Sequence, residues 1–274
     1  MDTALSIITV NLDNEVGLRK TIESVLSQTW KAFEWIIIDG GSQDGSKKLI
    51  EENQAHVSYW CSEQDKGIFN AMNKGAAKAT GEFLLFLNSG DVLYDNTVLE
   101  RIHSIGLHSD IVSGQAVRMD NGELLRTYDK DILMQLFNKT INHQATFIRR
   151  SLFDEIKFDE RLKIVSDWKF WLEAIVLRRC SFEVLDFPIA RQDVTGISLS
   201  EKNKGQHYDE RKQVLDELLP PRVIDTLEDY QSLRSQSTVR NLQYLEERHP
   251  RIFALIKKSI SFVTLVCQRI KHTS

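Results

Sequence analysis

The first 115 residues alternate between short apolar runs and segments in which apolar side chains recur every three or four positions. Nearly continuous apolar runs that are rich in β-branched residues are typical of strands buried on both faces. Such strands, separated by helical segments, favour an α/β fold with a mostly parallel sheet and helices on both faces. The predicted strands are 4–10, 33–38, 57–61, 82–87 and 110–113, and the helices between them are 18–26, 42–53, 68–79 and 95–105.

The pattern changes after residue 115 but continues the same domain, which we expect to cover residues 1–200. Asp120-Asn121-Gly122 is a strong signal for a hairpin turn. The further predicted elements are hairpin strands at 115–119 and 123–128, a strand at 145–149, a helix with Ser166 as its N-cap, and short strands at 182–185 and 189–192.

Residues 201–274 are predicted to form a helical C-terminal extension. The sequence favours one long helix over 222–248 and another that starts at Pro250. In the segment 250–274, apolar clusters are interleaved with Lys257, Lys258, Arg269 and Lys271. This basic amphipathic pattern is typical of a helix that lies on anionic lipid, although docking on its own domain is an equal alternative.

Composition excludes several classes of protein. With 35 Lys and Arg against 39 Asp and Glu, the net charge of -4 argues against a nucleic-acid binder. Cys61, Cys180 and Cys267 have no zinc or disulfide spacing. The sequence has no secretory leader pattern and no run of about 18 apolar residues, so we expect a cytoplasmic location. The first strand is not followed by GxGxxG, which disfavours a dinucleotide-dependent dehydrogenase.

Ligands of parallel sheets bind outside the carboxyl ends of the strands, and several polar residues stand at those ends. Asn11 and Asp39 follow the first two strands, and Asp91 closes the segment after the fourth. A carboxylate at Asp39 can accept a hydrogen bond from a base or a ribose, or it can cap the next helix. Asp91 is suited to a hard cation bound to a diphosphate, or it is a turn residue.

Four segments together resemble inverting family 2 glycosyltransferases of the GT-A fold, in particular bacterial enzymes of surface-polysaccharide assembly. They are SIITVN at 6–11, IIIDGGSQDGS at 36–46, SEQDKGIFNAMNKGAAKATGEFLLFLNSGD at 62–91 and SDWKFWL at 166–172. The resemblance covers about residues 4–200. It implies a Rossmann-like sheet with a nucleotide-sugar half at about 1–115 and an acceptor half at about 115–200.

The resemblance also implies a donor site. It assigns nucleotide contacts to Thr9, Asn11 and Asp39, and donor contacts to Asp65 and Asn73. Ala71 and Gly75 of the same motif serve either the donor or helix packing.

The family's DxD motif, which holds the ribose and a metal, corresponds to Asn88-Ser89-Gly90-Asp91. Glycine therefore replaces one of the usual carboxylates. The resemblance makes Asp91 the ligand of Mg²⁺ or Mn²⁺, with Asn88 as a helper.

The family's catalytic base maps onto Asp167, which follows Ser166. An inverting transfer needs one carboxylate to take the proton of the acceptor hydroxyl, and this is the expected role of Asp167. The alternative is a charge that only complements the helix dipole. His143 and Trp168 are weaker candidates for acceptor contacts, since a structural histidine and a core tryptophan fit the same pattern.

The resemblance therefore implies a hexosyltransferase that moves a sugar, with inversion, from a UDP-linked donor to a saccharide or lipid-linked saccharide in cell-surface polysaccharide assembly. Its partners would be the nucleotide-sugar, that acceptor and, through 250–274, the inner face of the cell membrane. The alternative is a non-catalytic GT-A subunit that binds a nucleotide or a partner, and Gly90 is the feature that favours it.

Overall fold

The computed structural model describes residues 5–128, 132–196 and 203–271, with side chains up to residue 261. The described residues contain nine strands in one sheet. They are β1 (Leu5–Asn11), β2 (Phe33–Asp39), β3 (Tyr59–Ser62), β4 (Phe83–Phe86), β5 (Val92–Leu93), β6 (Ile111–Arg118), β7 (Leu124–Leu125), β8 (Thr146–Arg149) and β9 (Phe182–Gln192).

The strands are ordered β3-β2-β1-β4-β8-β6-β9-β5, and β7 pairs with the edge of β6. The pairs β2/β3, β1/β2, β1/β4 and β6/β9 are parallel, whereas β5, β7 and β8 run against their neighbours. The prediction of a mostly parallel sheet is therefore confirmed. Because β1, β2 and β3 are parallel, their carboxyl ends meet at one edge.

The helices of the described chain lie between and after the strands. They are α1 (Glu15–Leu26), α2 (Ser46–Asn53), α3 (Ile68–Lys78), α4 (Val98–Ile105), α5 (Ile132–Asn138), α6 (Leu152–Glu155), α7 (Ser166–Trp171), α8 (Lys204–Leu218), α9 (Pro221–Ser235), α10 (Ser237–Arg248) and α11 (Pro250–Lys271). Short 3₁₀ turns form at Gln54–His56 and His143–Ala145, and α7 continues as a π-helical segment, Leu172–Leu177.

The sheet has a buried apolar layer on each face, because successive side chains of a strand point to opposite sides. Ile8 of β1 belongs to the layer that includes Met72 of α3, whereas Ile7 belongs to the layer that includes Leu18 of α1. A Cβ atom on Gly75 would lie 2.4 Å from Ile8 Cγ2, so glycine lets α3 pack closely on β1. Helices on both faces are thus confirmed.

Two strand predictions are wrong in detail. The segments 110–113 and 115–119 form one strand, β6, and the hairpin partner β7 has only two residues. The segments 182–185 and 189–192 also form one strand, β9. Pro188 lies inside it, where the register with β6 shifts, since a bulge accommodates a residue without an N–H donor.

Three helix predictions also need correction. The expected long helix 222–248 breaks at Gln236, whose backbone is extended (φ -62°, ψ 134°), and forms α9 and α10. Val165 rather than Ser166 is the N-cap of α7. Because α2 starts at Ser46, the alternative that Asp39 caps it is wrong.

The chain separates into two compact units, Met1–Leu218 and Leu219–Ser274. Helix α8 therefore belongs to the first unit, whereas the sequence pattern assigned all residues after 200 to the extension. The second unit contains α9, α10 and α11. Among the described residues, none of the helices is both long and apolar enough to cross a bilayer.

Candidate active site

A cleft of about 680 Å³ opens at the carboxyl ends of β1, β2 and β3. We call it the β2 cleft. The segments that follow the three strands line it, together with the start of α2. Its lining residues are Leu12, Gly40, Gly41, Ser42, Gln43, Lys47, Ser62, Glu63, Gln64 and Asp65.

The carboxylate of Asp39 lies beneath this cleft and is completely buried. Its Oδ1 accepts hydrogen bonds from Asn11 Nδ2 at 2.8 Å and Ser42 Oγ at 2.5 Å. Its Oδ2 accepts from Ser62 Oγ at 2.6 Å and from the backbone N–H groups of Ser42 at 3.0 Å and Gly41 at 3.2 Å. Asp39 thus ties together the loops that form the cleft.

These donors decide the ionisation of Asp39. Burial alone raises its pKa, but the hydrogen bonds from Ser42, Ser62 and Asn11 favour the charged form and leave the pKa lowered. The carboxylate is therefore a fixed negative charge of the cleft at neutral pH. Asn11 is 4% exposed, and its Oδ1 is buried without a hydrogen-bond partner among the described residues.

Of the other predicted donor residues, Asp65 alone lines the cleft. A Cβ atom on Gly40 would lie 2.6 Å from Asp65 Oδ2, so this glycine makes room for the carboxylate. Thr9 is fully buried, and its hydroxyl accepts the indole N–H of Trp35 at 3.1 Å. The amide of Asn73 bonds Phe158 and Glu160 in the segment that follows α6, which occupies its polar atoms. Contacts of Thr9 and Asn73 with a donor therefore have no support in this geometry.

A second group of polar residues lies beyond the end of β4. The ring of His143 stands between Asn88 and Asp167, with its Nε2 3.1 Å from Asn88 Nδ2 and its Nδ1 3.3 Å from Asp167 Oδ2. We call Asn88, Asp91, His143 and Asp167 the His143 cluster. The structure thus brings the predicted base close to the predicted metal-binding segment, although they are far apart in sequence.

The charges of this cluster act on one another. Burial lowers the pKa of His143, but its hydrogen bond to Asp167 and the negative charges of Asp167 and Asp91 outweigh burial and raise it. Burial, together with the negative charge of Asp193, raises the pKa of Asp91 to about 7, and among the described residues His143 and the N–H of Asp193 act in the opposite direction. That N–H donates to Asp91 Oδ1 at 2.9 Å. Asp91 is 7% exposed, so solvent does little to stabilise its charge.

Oxygen donors in this cluster suit a hard cation. Among the described residues, no three Asp, Glu, His or Cys side chains form a ready-made ion site. Mg²⁺ commonly takes only one or two carboxylates, with substrate phosphates and water as its other ligands. Asn88 Oδ1 is buried and has no hydrogen-bond partner in the part of the chain that the structure describes, so together with Asp91 it fits a cation that arrives with a diphosphate.

Helix α8 positions the segment that carries Asp167. Glu210 is 8% exposed, and its carboxylate accepts the backbone N–H groups of Lys163 at 3.0 Å, Ile164 at 2.9 Å and Val165 at 3.2 Å. Asp167 Oδ1 accepts the N–H of Trp168 at 2.7 Å. Sequence reasoning missed Glu210, because no pattern links residue 210 to a backbone segment nearly fifty residues earlier.

The prediction of an acceptor contact by Trp168 is not supported. Its ring is 1% exposed, its Nε1 donates to the carbonyl of Leu136 at 2.6 Å, and the guanidinium of Arg211 lies 3.9 Å from the ring centroid. Trp171 is buried as well. Both tryptophans are core residues, so a sugar does not reach them in this structure.

Comparisons with known proteins identify the family and the fold of this chain. Residues 6–160, more than half of the chain, match the model of glycosyl transferase family 2. The chain is 36% identical over 173 residues to the PGL/p-HBAD biosynthesis glycosyltransferase of Mycobacterium bovis, which covers 60% of this chain and 67% of that protein. It is 29% identical over 201 residues to an uncharacterized glycosyltransferase of Mycobacterium tuberculosis, which covers 70% of this chain and 76% of that protein.

Solved structures share the fold. S. aureus TarS in complex with UDP-GlcNAc aligns with a TM-score of 0.61 and 19% identity, over 72% of this chain and 61% of that one. The chain thus spans less than two thirds of that TarS fragment. A mannosyltransferase from Pyrobaculum calidifontis, in complex with GDP-Man and Mn²⁺, aligns with a TM-score of 0.61 and 13% identity, over 95% of this chain and 80% of that one. The predicted GT-A fold is confirmed.

Proposed function

We propose that this chain, which belongs to glycosyl transferase family 2, moves a hexose from a nucleotide-sugar to a saccharide or lipid-linked saccharide, with inversion. The observation that carries the proposal is the His143 cluster, because it joins a carboxylate suited to a base and one suited to a cation. His143 lies 3.3 Å from Asp167 and 3.1 Å from Asn88. The β2 cleft beside it has room for a nucleotide.

The donor would lie along the carboxyl edge of the sheet. Its nucleoside would occupy the β2 cleft, where Asp39 supplies a fixed negative charge and Lys47 a positive one. Its diphosphate would extend towards Asn88 and Asp91. Neighbours of the same fold are solved with UDP-GlcNAc and with GDP-Man, which supports a nucleotide-sugar donor. We propose a UDP-linked hexose.

In the transfer step, Asp167 takes the proton of the acceptor hydroxyl. The acceptor oxygen forms a bond to the anomeric carbon while the bond from that carbon to the donor phosphate oxygen breaks. Its electron pair leaves with the nucleoside diphosphate, and attack from the opposite face inverts the configuration. A bound Mg²⁺ or Mn²⁺ would neutralise the charge on the departing diphosphate, and Asp91 would hold it. His143 donates a hydrogen bond to Asp167 and fixes the direction of its carboxylate.

A donor panel tests this function. UDP- and GDP-linked hexoses would be offered with oligosaccharide and polyprenyl-diphosphate-sugar acceptors, with and without Mn²⁺, and nucleoside diphosphate release would be measured. We expect release with one donor class that depends on the acceptor. Nucleotide binding without transfer to any acceptor would instead favour the non-catalytic alternative, for which Gly90 is the supporting feature.

We further propose that the acceptor belongs to cell-surface polysaccharide assembly and that the chain works at the cytoplasmic face of the membrane. The name of the M. bovis relative refers to PGL/p-HBAD biosynthesis, which supports a role at the cell envelope. On α11, the apolar side chains of Ile252, Leu255 and Ile260 are exposed and alternate with Lys257 and Lys258. The predicted amphipathic residues from 262 onward lie outside the described side chains.

Vesicle sedimentation tests the membrane contact. The full chain should bind vesicles with anionic lipid, and less so as salt rises, whereas residues 1–249 should stay in solution. The double variant Lys257→Gln/Lys258→Gln keeps the apolar residues and removes two positive charges. It should bind the vesicles more weakly than the full chain. Equal sedimentation of all three proteins would contradict a membrane role for α11.

A further inference from the structure

The side chain of Asp193 occupies the space that a side chain at position 90 would need. Gly90 has φ +103°, a conformation that L-residues rarely adopt. A Cβ atom built on it would lie 2.4 Å from Oδ2 of Asp193 and 3.1 Å from its Cγ. The carboxylate of Asp193 therefore stands where a side chain at position 90 would begin, although it comes from a distant part of the chain.

Strand pairing brings Asp193 to this place. β5 and β9 are antiparallel, with Val92 opposite Arg191. The residues beyond this pair, Gly90 on one side and Asp193 on the other, therefore meet where the two strands separate. The hydrogen bond from the Asp193 N–H to Asp91 Oδ1, at 2.9 Å, fixes the two aspartates next to each other.

The carboxylate of Asp193 keeps the capacity to bind a further ligand. Thr195 donates to its Oδ1 through the backbone N–H and the hydroxyl, both at 3.0 Å, and the hydroxyl also lies 3.0 Å from Oδ2. A carboxylate oxygen has two lone pairs, so Oδ2 remains able to accept. Among the described residues, no Lys or Arg forms an ion pair with Asp91 or Asp193.

We propose that Asp193 supplies the second carboxylate of the cation site, in place of the side chain that Gly90 lacks. Asp91 and Asp193 would then hold Mg²⁺ or Mn²⁺ together with phosphate oxygens of the donor. The inference depends on the proposed function, because the diphosphate provides the remaining ligands. It would also place a second carboxylate beside position 90, where the motif has a glycine.

The variant Asp193→Asn distinguishes a role of Asp193 as a cation ligand from a role that only stabilises the local turn. Asparagine keeps the shape, the backbone N–H to Asp91 and an oxygen that accepts from Thr195, so a purely structural role survives the change. Loss of the negative charge should weaken cation binding, and it also relieves the repulsion that Asp193 exerts on Asp91. Glu183→Gln, an exposed residue near the other end of β9, is the matched control for removal of one carboxylate from the same strand.

The experiment is a titration with Mn²⁺, alone and with UDP or GDP, followed by electron paramagnetic resonance of free Mn²⁺. Nucleotide affinity without metal and the thermal unfolding midpoint are measured on the same samples. We expect Asp193→Asn and Asp91→Asn each to weaken Mn²⁺ binding by about tenfold or more, and Glu183→Gln to match the wild type. Nucleotide affinity without metal should be unchanged in all variants.

The possible failures are distinct. If the wild type binds Mn²⁺, Asp91→Asn loses it and Asp193→Asn retains it, the inference is overturned and the proposed function stands. If the wild type binds no Mn²⁺ with either nucleotide, both the inference and the metal role in the proposed function are overturned. If Glu183→Gln weakens Mn²⁺ binding as much as Asp193→Asn, the loss of affinity reflects the change in the net charge of the protein. The inference is then also overturned.

Discussion

Asp39 and Asp91 are buried carboxylates at the ends of nearby strands, yet their surroundings are opposite. Asp39 closes β2 and Asp91 follows β4, and β1 lies between those strands. Asp39 accepts hydrogen bonds from three side chains and two backbone N–H groups. In the described part of the chain, Asp91 accepts one, from Asp193.

The two aspartates differ in how the protein stabilises their negative charge. Hydrogen bonds stabilise the charged form of Asp39 and lower its pKa, so this carboxylate is stabilised without a ligand. Burial with little compensation raises the pKa of Asp91 to about 7, so the His143 cluster holds a poorly stabilised charge that the proposed cation would stabilise. The surroundings of Asp39 stabilise its charge within the protein, whereas the charge of Asp91 would be stabilised by the proposed cation.

The largest expected effect comes from the His143 cluster and should leave the β2 cleft unaffected. Asp167→Asn keeps the size and hydrogen bonds of the side chain but cannot take a proton. We expect kcat to fall by about 100-fold or more while nucleotide affinity is retained. Steady-state kinetics with a verified donor and acceptor, beside a nucleotide titration, would check this. Near-normal turnover of Asp167→Asn would exclude it as the base.

The next effect belongs to the β2 cleft alone. Asp39→Ala removes the acceptor that orders Asn11, Ser42 and Ser62, so nucleotide affinity should fall by about tenfold or more. Calorimetric titration with UDP and GDP measures this, with the exposed Glu51→Ala on α2 as a control. Unchanged affinity for every nucleotide that the wild type binds would remove Asp39 from the donor site.

The comparison also predicts stability changes of opposite sign. Without metal at pH 8, Asp39→Asn should lower the free energy of unfolding by about 1 kcal/mol. The two oxygens of Asp39 accept hydrogen bonds from five donors, and in asparagine an NH₂ group replaces one of those oxygens. Asp91→Asn should raise the free energy of unfolding by about 1 kcal/mol, because it removes a buried charge with few partners. Urea unfolding of both variants would measure this. Destabilisation of similar size in both would contradict the distinction between the two regions.

The effect of pH on the free energies of unfolding of these two variants should be smaller than the effects of the substitutions themselves. It should also differ between the two variants. Since the folded pKa of Asp91 is raised to about 7, its cost to stability grows as pH rises from about 4 to about 7. The gain from Asp91→Asn should therefore grow over that range and then stay constant. The pKa of Asp39 is lowered, so its contribution is complete above about pH 4 and declines as pH falls further. Unfolding measured at several pH values would compare the two.

Local patterns predicted much of the fold, since runs such as 33–38 and the helical spacing of 68–79 depend on neighbouring residues only. Predictions failed where distant contacts decide. Pro188 lies inside β9 because a bulge against β6 accommodates it, and no local signal shows that bulge. The break at Gln236 falls in a polar, serine-rich stretch where helical periodicity does not mark an end.

The candidate site also contains residues that a local rule located and residues whose positions depend on distant contacts. The rule that ligands bind at the ends of parallel strands located Asn11, Asp39 and Asp91 at that edge. It could not show that Thr9 is buried against Trp35, because a side chain near a strand end points to either face. Asp193 reaches Gly90 only through the pairing of β5 with β9, which the sequence did not predict.

The bonds from Glu210 to residues 163–165 have a consequence for how the protein can be divided. A fragment that ends at residue 200 keeps the whole β2 cleft but loses the carboxylate that holds three backbone N–H groups, so water would replace Glu210 as their acceptor and the segment would be less fixed. Such a fragment should still hold nucleotide and yet turn over poorly, because Asp167 follows the loosened segment. Exchange of parts between related chains therefore preserves turnover only if α8 travels with the loop that it holds.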